Sequence, residues 1–96
     1  MKMKEVETRT GLDRKNIRYY ESEELLTPRH DEGNRYRNYS VEDIDRLLKI
    51  KLLRQLGIPI KDIRGYFEGS VGLGEVMARR RSQIDQELEQ LKKMGQ

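Results

Sequence analysis

Gly11-Leu12-Asp13-Arg14-Lys15-Asn16-Ile17-Arg18-Tyr19-Tyr20-Glu21 is the stretch on which the reading of this chain turns. Gly11 can take the positive φ that ends one helix and opens a tight turn. Asp13 is a good N-cap, because its carboxylate can accept from the free N–H groups of a first turn. Leu12 and Ile17 are the apolar positions and would hold a short helix on a core. Arg14, Lys15, Arg18 and Tyr19 are then left to point outward. Such a basic, aromatic face suits a helix laid in a DNA groove. An ordinary solvated helix would carry the same pattern, so this stretch alone leaves both readings open.

Before it, Met3 to Arg9 reads as a first short helix with Met3 and Val6 as apolar contacts. The second helix runs from Asp13 to about Glu23. Two short helices joined across a glycine turn have the form of a helix-turn-helix. Leu25 and Leu26 would fold back on the core, and Pro28 stops any helix. The turn cluster Asp31-Glu32-Gly33-Asn34 then separates Arg29-His30 from Arg35-Tyr36-Arg37-Asn38-Tyr39, which predicts a β-hairpin. On its second strand Arg35, Arg37 and Tyr39 share one face, and Tyr36 and Asn38 the other. A cationic ribbon of this kind reads as a wing that reaches DNA backbone beside the helix; a plain solvent loop is the other reading.

Ser40 with Asp43 is close to a capping box. Ile44, Leu47, Leu48, Leu52, Leu53 and Leu56 follow at near-helical spacing and predict a third helix whose wide stripe is the main core. Gly57 caps it, and Pro59 opens a fourth helix from Ile60 to about Phe67, with Ile60, Ile63 and Phe67 inward. Gly65 inside that helix costs about 1 kcal/mol relative to Ala, and only a close neighbour would justify it. Residues 69–74, with three glycines, read as a linker, and residues 75–96 as a long dimerisation helix. Met77, Ile84, Leu88 and Leu91 mark its seam, which Arg81 interrupts. A polar helix with a single apolar stripe needs a partner. An identical chain is the default, and pairing onto the third helix is the alternative.

Composition narrows the class. The chain has 96 residues, 34% hydrophobic and 39% charged, so one small domain with a thin core and a helical tail is expected. A chain of this size buries roughly 60–65% of its unfolded surface, and a partner would add needed stability. There is no cysteine, hence no disulfide or thiolate chemistry in these residues. No apolar run reaches membrane-spanning length and no signal peptide opens the chain, which implies a cytoplasmic protein without membrane contact. The net charge of +3 is modest, but it is segregated. Arg14 to Arg18 holds three cations and no acid, whereas acids gather at Glu21 to Glu24 and Glu42 to Asp45. Segregation of this kind fits a nucleic-acid surface with its solvated back turned away. His30 is the only histidine and has no nucleophile beside it, so an enzyme is not expected, nor any metal or cofactor.

Four blocks carry a resemblance: Ile17-Arg18-Tyr19-Tyr20-Glu21, Leu25-Leu26-x-Pro28, Arg35-Tyr36-Arg37-Asn38-Tyr39-Ser40 and Leu56-Gly57-Ile58-Pro59-Ile60-Lys61-Asp62-Ile63. In this order they resemble the DNA-binding domain of MerR-family transcription regulators, over roughly Met1 to Glu68. The chain departs from that pattern at Glu7, where the family usually has Ala, and at Glu24, where it usually has Gly. The wing is also one residue longer.

The resemblance implies a fold that is mainly α with a small β-hairpin wing: a winged helix-turn-helix over 1–68, then the long dimerisation helix. It implies a homodimer on double-stranded promoter DNA that bends and untwists an overlong spacer, acting on RNA polymerase only through the DNA. It assigns DNA contact to Arg14, Lys15, Arg18 and Tyr19, to Arg35, Tyr36 and Arg37 of the wing, and to Arg54 by resemblance alone. Arg18 and Lys15 can reach guanine edges, while Tyr19, Arg35, Arg37 and Arg54 suit phosphates. Tyr20 is assigned to the core. An architectural protein of the excisionase type and a protein-interaction module are the rival readings. The chain ends directly after the seam, which favours a piece of a longer regulator over a short subgroup lacking a sensor.

Overall fold

The computed structural model describes residues 1–30 and 37–95 and is mainly helical. Contacts divide it into two compact units, Met1–Leu56 and Gly57–Gln96. This division falls earlier than the boundary expected after residue 68.

The first unit is built on two helices with a locked turn. Helix α1 (Met3–Thr10) ends at Gly11, which takes φ 72° and donates its N–H to the Glu7 carbonyl. Helix α2 (Arg14–Ser22) starts at Asp13, whose side chain accepts from the Asn16 N–H at 2.8 Å. Between them Thr10 is buried although polar, and its groups are all used. Its hydroxyl donates to the Val6 carbonyl and accepts from the Leu12 N–H, while its carbonyl accepts from Lys51 Nζ at 2.9 Å. A β-carbon at Gly11 would lie 2.8 Å from that same ammonium. The left-handed backbone favours glycine there, and any side chain would also displace the flexible end of Lys51.

Val6 and Ile17 are fully buried, Tyr20 nearly so, and Leu25 and Leu26 complete the return of the chain. Burying a side chain such as Ile17 contributes about 1.5–3 kcal/mol. The return is made by Glu24 at φ 61°, among the described residues the one non-glycine in left-handed backbone. Its N–H donates to the Glu21 carbonyl and that of Leu25 to the Tyr20 carbonyl, a Schellman closure of α2.

Among the described residues strand is confined to β1 (Arg29–His30) and β2 (Arg37–Asn38), which pair antiparallel with Arg29 opposite Asn38. The expected turn cluster at 31–34, with Arg35 and Tyr36, lies outside the described residues. Tyr39 departs from expectation: it follows β2, is only 2% exposed and belongs to the core, not to a cationic face. Two anchors turn it inward. Its hydroxyl donates to the Glu21 carboxylate of α2, and its N–H donates to the Met1 carbonyl.

Helix α3 (Val41–Gln55) opens with a full capping box between Ser40 and Asp43. Its buried row is Ile44, Leu47, Ile50 and Leu53. Leu48, Leu52 and Leu56, expected in the core, are exposed, Leu52 by 58%. The i, i+3 row faces α1, and the i, i+4 row lies on the flank of the same wide stripe. Arg46 Nε reaches back to the Leu25 carbonyl and ties α3 to the return.

In the second unit, α4 (Ile60–Glu68) starts at Pro59 and buries Ile63, with Ile60 and Phe67 half-buried. Gly65 has its reason: a β-carbon there would lie 2.9 Å from Val71 Cγ1, and its carbonyl accepts from the amides of Ser70 and Val71. The presumed linker is accordingly structured. Gly69 caps α4 at φ 79°, Val71 packs on Gly65, and α5 (Leu73–Met94) begins before Glu75 with Gly72 as its N-cap.

Left-handed backbone costs a side-chain-bearing residue about 1–2 kcal/mol. Glu24→Gly is expected to raise stability by about 1 kcal/mol, net of the glycine's unfolded-state entropy, and the melting temperature by roughly 4–8 °C. An unchanged melting temperature would contradict strain at this position. Tyr39→Phe is expected to cost about 1.5 kcal/mol or more in urea denaturation, as loss of a hydrogen bond to a charged partner. An unchanged midpoint would show that the Glu21 contact contributes nothing.

Candidate nucleic-acid interface

Helix α2 has two distinct sides. Ile17 and Tyr20 are buried beneath it, and Arg14, Lys15, Arg18 and Tyr19 are all exposed on the other. The spacing i, i+1, i+4, i+5 puts these four on one face. The core therefore presents the whole expected set together. Tyr19 packs its ring against Tyr20 at 5.7 Å between centroids, and this contact limits its travel. The split between the two tyrosines, one outward and one inward, follows directly from the helical period.

Arg54 sits in the last turn of α3 and is exposed. With Leu12, Tyr20, Lys51 and Gln55 it lines an open groove beside the turn into α2. Lys51, which sequence reasoning did not single out, is thus both a wall of the groove and the clamp on the Thr10 carbonyl. Its signal in the sequence is faint, a lysine beside the buried row of α3. Of the wing residues, Arg37 lies in β2 opposite His30, and Arg35 and Tyr36 fall outside the described residues.

A second unanticipated residue is Glu7 of α1. Its Oε2 accepts from the Arg14 N–H at 3.2 Å, and its Oε1 lies 3.6 Å from Arg14 Nη2. The first turn of α2 thus carries two carboxylates, those of Asp13 and Glu7. Among the described residues no group of His, Asp and Glu is arranged to hold a metal ion.

In the second unit, Met77, Ile84, Leu88 and Leu91 are exposed along α5, with Leu73 and Met94 extending the row. Ile84 leaves 39% of its surface free. The residue α5 buries is instead Val76, on the side that meets α4, where Arg79 also pairs with Asp62 at 3.3 Å. Arg80 lies over Gly57, whose φ of 80° and missing β-carbon admit the guanidinium, and it pairs with Glu87. The two faces of α5 are therefore chemically different: one anchored on α4, the other an uncovered apolar stripe.

Comparison with known proteins places this geometry. Residues 1–70 match the family described as MerR HTH family regulatory protein. The HTH-type transcriptional regulator CueR of Yersinia pestis is 36% identical over 64 residues, 67% of this chain and 46% of that protein. The HTH-type transcriptional regulator GlnR of Bacillus anthracis is 42% identical over 55 residues, 57% of this chain and 42% of that protein. The chain thus spans about half the length of the curated relatives it matches. The transcription regulator PbrR691 from Ralstonia metallidurans CH34, crystallised with lead(II), shares the fold with a TM-score of 0.85 at 22% identity, over 99% of this chain and 79% of that one. With the family match covering the helix-turn-helix, its turn and helices α3 and α4, the chain belongs to the MerR family of helix-turn-helix regulatory proteins, which are regulators and not enzymes.

Proposed function

We propose that this chain is the DNA-binding and dimerising part of a transcription regulator that acts as a homodimer on double-stranded promoter DNA. The observation that carries the proposal is the exposed face of α2, with Arg14, Lys15, Arg18 and Tyr19 held together over Ile17 and Tyr20. Residues 1–68 form the DNA-binding part, and the helix over 75–96 the dimerisation part.

In this reading α2 enters the major groove. Arg18 and Lys15 read base edges there, because an arginine can bond guanine O6 and N7 together. Arg14 and Tyr19 flank them. Arg54 and the residues Arg35, Tyr36 and Arg37 hold the backbone on either side; these contacts fix register without reading sequence. Residues 29–38 then act as the wing. Two copies joined along Met77, Ile84, Leu88 and Leu91 present two recognition helices. Such a dimer can bend and untwist the promoter spacer, at a deformation cost of about 1–6 kcal/mol that the backbone contacts offset. Polymerase responds to the altered DNA, and the protein works in the cytoplasm; no helix among the described residues is long and apolar enough to cross a membrane.

Competition binding against random duplex tests the assignment of roles. Arg18→Ala is expected to lose about 10-fold or more in discrimination between a selected site and random duplex. Arg37→Ala is expected to weaken both alike and to flatten the salt dependence by about one phosphate's worth. Equal losses in both variants would contradict the sorting. In the second unit, Ile84→Asp places a charge in the seam and is expected to give monomers in sedimentation at micromolar concentration. A dimer of unchanged stability would move the interface elsewhere.

A further inference from the structure

We propose that Glu7 is an affinity-setting residue of the DNA-binding face, its carboxylate competing with the phosphate backbone for Arg14 so that duplex of any sequence is bound less tightly. The inference rests on the reading of α2 as the recognition helix.

The N-terminus of a helix attracts anions, and in a DNA-binding protein it is a ready place for a phosphate. In α2 that place is taken. Asp13 accepts from the Asn16 N–H at 2.8 Å, and Glu7 accepts from the Arg14 N–H at 3.2 Å. The second oxygen of Glu7 stands 3.6 Å from the Arg14 guanidinium, so the same carboxylate engages both the backbone and the side chain of one residue. Glu7 comes from α1, which in a helix-turn-helix crosses the DNA backbone while the N-terminal residues of the second helix meet base edges. A negative charge is thus fixed where a phosphate would approach, and a cation of the interface is engaged before DNA arrives.

The consequence is common to specific and non-specific duplex. Non-specific binding is essentially all phosphate attraction, so it reports the engaged cation and the added anion most cleanly. The Glu7–Arg14 pair is partly exposed and weak, so where DNA draws Arg14 away the loss is the small free energy of the pair itself. Glu7 therefore lowers affinity for duplex of any sequence.

Glu7→Gln separates charge from structure, because the amide oxygen can still accept from the Arg14 N–H. The probes are a random-sequence duplex and the tightest duplex selected from a randomised pool, each titrated at several salt concentrations. For Glu7→Gln we expect affinity for the random duplex to rise about 3–10-fold near physiological salt, with the log–log salt slope steeper by about 0.9. Affinity for the selected duplex should rise by a similar factor, so that discrimination changes little. In an Arg14→Ala background the steepening should vanish. An unchanged slope and unchanged affinity for the random duplex in Glu7→Gln would overturn the inference while leaving the DNA-binding role intact, as would steepening that persists without Arg14. Wild-type protein with no salt-dependent affinity for either duplex would overturn the DNA reading itself and this inference with it.

Discussion

The ammonium of Lys51, bonded to the Thr10 carbonyl beneath the turn between α1 and α2, is the constraint from which the rest of the first unit follows. It satisfies the end of α1 from a helix 41 residues away in sequence and stands close to where a β-carbon at position 11 would lie. Thr10 closes the inside of the turn through its own hydroxyl, and Asp13 closes the outside by capping α2. With both ends of the turn fixed, the angle between the helices has little freedom. The face bearing Arg14, Lys15, Arg18 and Tyr19 is then presented as a rigid block. A buried polar network of this kind stabilises only when every member is satisfied, and among the described residues no buried side-chain nitrogen or oxygen lacks a partner.

The far end of α2 is held by a different set. Glu24 enters left-handed backbone, Arg46 reaches the Leu25 carbonyl, and Tyr39 reaches Glu21. These link the exit of α2 to α3 and to the end of β2. In the proposed reading, α2 is thus ordered before DNA arrives and binding energy is not lost in ordering it. The second unit follows another logic. Its structured turn, with Gly65 against Val71, launches α5 from α4, and Val76 anchors one face of α5 while the neighbouring stripe is exposed. A chain with a thin core and such a stripe gains most from a second copy.

Short-range chemistry was the legible part. The Gly11 turn, the Asp13 cap, the Ser40–Asp43 box and the division of Tyr19 from Tyr20 each depend on neighbours within one helical turn. The four exposed positions of α2 were legible for the same reason. Features that depend on distant partners were not. Ile50 is buried and Leu52 exposed because packing covers one flank of a stripe apolar on both. Tyr39 looked like part of a cationic strand until its partners, Glu21 and Met1, came into range. Val71 gave residues 69–74 an order that glycine content argued against. Glu7 meets Arg14 across the turn, where no helical period applies.

The central claim is that two such recognition helices, related by a two-fold axis, read one DNA site. Hydroxyl-radical footprinting of the full chain on a selected promoter duplex tests it most directly. A homodimer predicts two protected patches of equal strength on each strand, symmetric about the spacer and about one helical turn apart. A single patch on one side, unchanged at saturating protein, would contradict it.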